Sequence, residues 1–413
     1  MSTPLPLVLY GAAMAALEPL APSLLRARAR RGKEDPGRLS ERLGRAGLPR
    51  PDGALVWLHG VSVGETTSLL PLVAALRTRR PDLTILVTCG TTTAAALLAQ
   101  RLPEGVLHQF APVDGPGAVR RFLDHWRPNA AVFVESELWP NLILAAKARG
   151  VRLALLSARM TAASANGWSQ WPASARALVS AFDLIMPQDA ATDERLSRLG
   201  GTNGPRLNLK LVGEPLPADM AELDRLRTAL AGRTVVLAAS THPGEDALIA
   251  NAVRNAAPGG VLILAPRHPE RGPEIAAMLG GALRSQGEAM GPVYVADTLG
   301  ELGLFFRLAD IVVMGGSFVP GIGGHNPLEP ARIGRPILTG RYVFNAADIY
   351  AEMFAEAAAI EAVNGTALTR HIRGLLDNPV IARRMGEAAL AYANRQGAAL
   401  DQALALLDPL LAP

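Results

Sequence analysis

The strongest restriction on this chain is a twofold series of short runs whose apolar residues fall on both faces, so that neither face is left for water. ALVWLHG (54–60), LTILVTCG (83–90), AAVFVES (130–136), VRLALLSA (151–158) and DLIMPQ (183–188) form the first series. RTVVLAAS (233–240), GVLILAPR (260–267), PVYVAD (292–297), DIVVMGGS (310–317) and RPILTG (335–340) form the second. Each run is followed by a longer stretch whose apolar residues recur at helical spacing. A strand without a polar face must be covered on both sides, and helices between successive strands do this, so the pattern predicts parallel sheets. Gly200, Gly201, Gly204, Pro205, Gly213, Pro215 and Pro217 separate the two series and predict a linker. The expected fold class is therefore α/β, with two doubly wound, Rossmann-like domains. The 413 residues suffice for both. The boundaries read as an N-terminal segment (1–35), a first domain (36–205), a linker (206–220) and a second domain with C-terminal helices (221–413).

Ahead of the first series, Leu5 to Leu25 is apolar apart from Glu18. From Arg26 to Arg50 nine Lys or Arg residues follow, against three acids. A basic stretch beside an apolar helix suits the cytoplasmic face of an anionic bilayer. Pro4, Pro6, Pro19, Pro22 and the single carboxylate argue against full spanning, at a length of about 20 residues that only just suffices. Shallow anchoring, spanning and a packed amphipathic helix all remain open. The formal net charge of +4 favours anionic partners. Aromatic residues make up only 5%, and none interleave with a basic stretch, so nucleic acid is not expected as a partner. Cys89 is the only cysteine, which excludes an intrachain disulfide and fits a reducing compartment. No Asp-x-Asp pair or zinc-type cluster is present, and neither a metal nor a cofactor is expected.

Four segments carry chemistry. HGVSVGE (59–65) follows a strand and opens a helix, where open α/β sheets bind ligands. Glu65 in the first helical turn is either a capping acid or a general base. ESELWPNL (135–142) sends Glu135 and Glu137 off a strand end, to pair with Arg159 or to accept from substrate hydroxyls. PRHPER (266–271) offers Arg267, His268 and Arg271 to a phosphate, or forms a solvated charge cluster. MGGSFVPGIGGHNPLEPA (314–331) combines two glycine pairs with an Asn326–Pro327 helix start. That arrangement predicts free backbone N–H groups aimed at an anion, with Glu329 placed to accept from ribose hydroxyls.

Taken together, RGKEDPGRLSERLG (31–44), WLHGVSVGE (57–65), ESELWPN (135–141), SAR (157–159), NLK (208–210), STHPGED (240–246), PRHPER, DTLGEL (297–302) and GGSFVPGIGGHNPLEPA (315–331) resemble, in order, the 3-deoxy-D-manno-octulosonic acid (Kdo) transferases. The likeness runs through nearly the whole chain, although VPGIGG holds one residue more than the family spacing. It implies a GT-B architecture, two Rossmann-like domains facing across a cleft behind an apolar N-terminal helix. It implies an inverting, metal-independent enzyme that moves Kdo from CMP-Kdo to a lipid A precursor at the cytoplasmic face of the inner membrane. Glu65 matches the catalytic base. Ser62, Gly64, Glu135 and Arg159 fall on the acceptor side. Ser240, Thr241, Arg267, His268, Gly316, Ser317, Gly323, Gly324, His325, Asn326 and Glu329 fall on the CMP-Kdo side. The alternatives are an envelope GT-B enzyme using a UDP-sugar, a GT-B-like epimerase and a non-catalytic lipid A-binding scaffold.

Overall fold

The computed structural model describes residues 3–411. The chain forms two compact units, one comprising the sequence up to Gly213 with the tail from Gln396, the other Glu214–Arg395.

The first unit is built on six parallel strands: β1 (Leu55–His59), β2 (Thr84–Cys89), β3 (Leu107–Phe110), β4 (Ala130–Val134), β5 (Arg152–Ala158) and β6 (Leu184–Pro187). Their order is β3-β2-β1-β4-β5-β6. Burial on both faces is visible along β1. Leu55 and Trp57 enter one apolar cluster, with Phe122, Trp126 and Phe133. Val56 and Leu58 enter the other, with Leu69, Leu72 and Val73 of helix Val63–Arg79. Each such side chain contributes about 1.5–3 kcal/mol by leaving water, and the strand's one polar residue, His59, is bonded to Thr88.

The second unit has seven parallel strands: β7 (Val235–Thr241), β8 (Val261–Pro266), β9 (Ala282–Leu283), β10 (Val293–Val295), β11 (Ile311–Met314), β12 (Ile337–Thr339) and β13 (Ile360–Glu361). The order is β13-β12-β11-β7-β8-β10-β9. All ten runs singled out in the sequence are strands. The three additional strands, β3, β9 and β13, lie at sheet edges and are short or half-polar, so periodicity does not mark them.

One boundary differs from expectation. The sequence places the tail in the second domain, yet Gln396 onward belongs to the first unit. The reason is apolar burial: Ala403, Leu404, Leu407, Leu410 and Leu411 join the cluster of Val56 and Leu58. The boundary falls inside the helix Pro379–Leu407, beside Gly397, which does not interrupt the helix.

The apolar N-terminal segment is helical from Leu5 to Ala29, with a 3-10 turn at Glu18–Leu20, and is long and apolar enough to cross a membrane. Leu5, Val8, Leu9, Leu17, Leu20 and Leu24 are exposed. Its other side is tied to the first unit. Leu7 is buried there, and the Tyr10 hydroxyl donates to Asp114 at 2.9 Å. Glu18, the lone acid, accepts from Gly117 N at 2.7 Å and pairs with Arg121 at 3.0 Å. Several of the following basic residues are also engaged: Arg28 and Arg42 pair with Glu34, and Arg38 with Glu41.

Candidate functional site

The strand order reverses between β1 and β4 in the first sheet and between β11 and β7 in the second, where the edge pair β10-β9 adds a peripheral reversal. The crevice outside the carboxyl ends of such neighbouring strands is where open α/β sheets hold ligands. Three of the four chemistry-bearing segments leave those strand ends, and PRHPER leaves the neighbouring strand β8. Glu65 and Glu135 follow β1 and β4, while STHPGED and the glycine-rich loop follow β7 and β11.

In the first unit, Ser62 caps helix Val63–Arg79, and its hydroxyl accepts from Glu65 N. Glu65 returns the contact. Its Oε1 accepts from the Ser62 hydroxyl at 2.7 Å and its Oε2 from Val61 N at 2.6 Å. This reciprocal capping orients the carboxylate. Gly60 sits at a close approach, since a Cβ there would lie 3.1 Å from that of Glu65. Gly64 is exposed and faces open space, its nearest neighbour being Ser62 Oγ at 3.9 Å. His59 is a core residue: its Nδ1 bonds Thr88 Oγ1 at 2.8 Å, and burial drives it down to about 3. Cys89 is buried too, and burial pushes its thiol up to about 12.

Glu135 is buried and has a left-handed backbone, φ 59°. A non-glycine residue in that region stores strain, and such residues concentrate at functional sites. Its ion-pair partner is not Arg159, one of the two alternatives the sequence offered, but Lys210 of NLK, whose Nζ lies 2.5 Å from Oε1. The chain turns back after β6 and brings Lys210 to the end of β4. Arg159 meets Glu135 through the backbone, its N–H donating to the Glu135 carbonyl at 3.1 Å.

Glu137 is the residue that sequence reasoning undervalued. Burial, then the negative charges of Glu65 and Glu135, raise its carboxyl to about 7, while a hydrogen bond from Trp139 opposes the rise. Its acid form is therefore favoured by folding. This contribution to stability is complete below the ordinary value of 4.5 and is lost as pH rises to about 7. Glu137→Gln is expected to flatten the stability–pH curve over that interval, as measured by denaturant midpoints at successive pH values.

In the second unit, Asp246 is buried, accepts from the Thr241 hydroxyl at 2.7 Å and pairs with Arg271 at 2.5 Å. Thr241 is thus committed internally, and Ser240 has a left-handed φ of 58° at a register shift between β7 and β8. Arg267 and His268 are exposed in the next loop, with His268 Nδ1 3.7 Å from Glu270. His242 and His325 share one hydrogen bond, Nε2 to Nε2 at 2.9 Å, with rings stacked at 5.1 Å. Burial, then His242 and Arg267, hold His325 down at about 4. Burial also raises the Glu329 carboxyl, against the pull of Arg332 and Arg267.

The glycine-rich loop corrects one expectation. The N–H groups of Gly316 and Ser317 do not await an external anion; they donate to the Glu245 carboxylate at 2.7 and 2.9 Å. The Ser317 hydroxyl donates to Met314 O and accepts from Gly340 N, both at 2.7 Å. Asn326 accepts from Leu328 N at 3.0 Å, but the residue at the cap is Pro327 rather than Asn326, and the helix is a single turn, Leu328–Ala331, with a correspondingly small dipole. Gly323 and Gly324 have φ of 96° and 78°, and Asn345 N donates to Gly323 O at 2.9 Å. Among the described residues, no group of three or more His, Cys, Asp or Glu side chains is placed to hold a metal ion.

Residues 37–211 match the family model described as 3-deoxy-D-manno-octulosonic-acid transferase (kdotransferase). The chain is 39% identical over 359 residues to the probable mitochondrial 3-deoxy-D-manno-octulosonic acid transferase of Arabidopsis thaliana, covering 81% of this chain and 79% of that one. It is 36% identical over 395 residues to the 3-deoxy-D-manno-octulosonic acid transferase of Bordetella pertussis, covering 90% and 91%. A solved glycosyltransferase from Rickettsia africae superposes with a TM-score of 0.58 at 11% identity, over 87% of this chain and 99% of that one, which speaks for the fold alone. Two parallel, Rossmann-like sheets of GT-B type and relatives this similar over most of their length place the chain in the Kdo transferase family of glycosyltransferases.

Proposed function

We propose that the protein transfers Kdo from CMP-Kdo to a lipid A precursor (lipid IVA), with inversion, without a metal, and with Glu65 as general base. The observation that carries this reading is the Glu65 carboxylate, fixed by Val61 N and Ser62 Oγ at the strand-order reversal of the first sheet. Glu65 takes the proton of the acceptor hydroxyl as its oxygen attacks C2 of Kdo, and CMP leaves from the opposite face. Glu135, Arg159, Ser62 and the open space over Gly64 serve the acceptor. Arg267 and His268 offset charge on the departing phosphate, which carries less than a diphosphate and needs no metal to do so. Glu329 accepts from the ribose, with Asn326, His325, Gly323 and Gly324 shaping the pocket.

The test is CMP release from freshly made CMP-Kdo, with and without a tetraacylated lipid A precursor, before and after exhaustive chelation. Acceptor-dependent release that survives chelation is expected. Release that needs a divalent cation overturns the metal-free mechanism, and competition by UDP but not CMP overturns the donor.

The N-terminal helix is read as lying on the cytoplasmic face of the inner membrane. Tyr10 and Glu18 hold one side of it to the first unit, while its leucines face outward. Replacing Leu9, Leu20 and Leu24 together with Ser is expected to lower binding to anionic vesicles at least about 100-fold, from about 1.5–3 kcal/mol per buried side chain. Cosedimentation measures it, and turnover on detergent-dispersed acceptor should persist.

A further inference from the structure

Glu245 is fully buried at the start of helix Asp246–Ala256, yet its side chain does not cap that helix. It accepts four backbone hydrogen bonds instead. Oε2 accepts from His242 N at 2.9 Å and Gly316 N at 2.7 Å, and Oε1 from Ser317 N at 2.9 Å and Phe318 N at 2.8 Å. Successive N–H groups converging in this way form a nest suited to an anion. Here the anion is a side chain of the protein itself.

The contacts continue in a ring. Gly316, held with φ 69°, accepts from Gly324 N at 2.8 Å. A Cβ on Gly316 would stand 2.8 Å from His325 Cδ2, so the imidazole lies directly against it. His325 bonds His242, and His242 N returns to Glu245. One carboxylate thereby sets the loop after β7 and both glycine pairs after β11.

We propose that Glu245 is a positioning residue for the nucleotide subsite: an internal anion that templates residues 315–318 against 241–245 before ligand arrives. It rests on the reading that this unit holds the CMP moiety. With the nest already filled, the phosphate is recognised by side chains, Arg267 and His268, rather than by the Gly316 and Ser317 amides. A carboxylate suits the role because both oxygens accept. An amide of the same size offers one acceptor and turns an NH2 group toward two N–H donors.

The test compares the full-length protein with Glu245→Gln and Glu245→Asp, using amide hydrogen exchange of the segment 314–319 and calorimetric titration with CMP. Glu245→Gln should accelerate exchange of the Gly316–Phe318 amides and weaken CMP binding, each about tenfold or more, as expected for lost hydrogen bonds to a charged group. The loss should appear in the KM for the donor, with the KM for the acceptor unmoved. Glu245→Asp should recover part of both effects, and it carries the test if the Gln variant does not fold. Wild-type exchange and CMP affinity in a folded Gln variant would overturn the proposal. So would acceleration spread evenly over the whole second unit, which marks a merely structural role. If the wild type fails to bind CMP, the donor reading falls, while the exchange result still decides whether Glu245 holds the loop.

Discussion

Glu65→Gln is expected to lower turnover by about 10²–10⁴-fold, the usual range for loss of a general base. The structure sharpens this test, because Glu65 has two possible jobs. As a capping residue it accepts from Val61 N and the Ser62 hydroxyl. Gln keeps an acceptor for Val61 N, and its NH2 group can donate to Ser62 Oγ, so the cap survives. Ala keeps neither and is expected to cost about 1 kcal/mol of stability, as lost caps do. A base therefore predicts two variants that are equally slow, of which only Ala is less stable. Near-normal turnover in Glu65→Gln would leave Glu65 as a cap. Measuring CMP release beside thermal unfolding separates the two.

Asp246→Asn should produce the largest loss of stability of any single change considered for the second unit. The Asp246 and Arg271 side chains are only 2% and 13% exposed, and they meet at 2.5 Å. Removing one member of a buried ion pair leaves the other charge uncompensated and costs about 3–5 kcal/mol. Asn keeps one oxygen for the Thr241 hydroxyl, so its NH2 group is turned toward the Arg271 guanidinium, a donor facing a donor. The measurement is the denaturant midpoint. Exchanging both residues for apolar ones of similar volume should recover much of the loss, because the cost lies in the stranded charge rather than in the absence of an attraction. A small effect from Asp246→Asn, within about 1 kcal/mol, would mean that water or movement of Arg271 relieves the charge.

The ten main strands were legible because their signal is local: a strand buried on both faces must be apolar on both, as Val56, Trp57 and Leu58 are. The edge strands β9 and β13, two residues each, hold too few positions to register a pattern. The Ala/Leu-rich tail announced a helix but not its destination. Its buried face is equally compatible with either unit, and contacts with the cluster around Val56 decide the matter.

The candidate site divides in the same way. That Glu65, Glu135, Arg267 and Glu329 would leave strand ends followed from the strand pattern, since every parallel strand delivers its carboxyl end to the same edge of its sheet. Charge pairing did not follow. Glu135 had Arg159 as the obvious partner in the next strand loop, but the ion pair forms with Lys210, brought in by a chain segment from beyond β6. The sequence pointed to free N–H groups at the Asn326–Pro327 helix start, whereas the concave row of N–H groups forms at 316–318, where Gly316 takes a positive φ. Which anion fills the row is a long-range matter, and Glu245 reaches it from 71 residues away in sequence. Hydrophobic periodicity and turn chemistry are properties of neighbouring residues and can be read along the chain. Partners for buried charges are chosen among residues that only folding brings within hydrogen-bond reach, where leaving a charge unpaired is costly enough to decide the outcome.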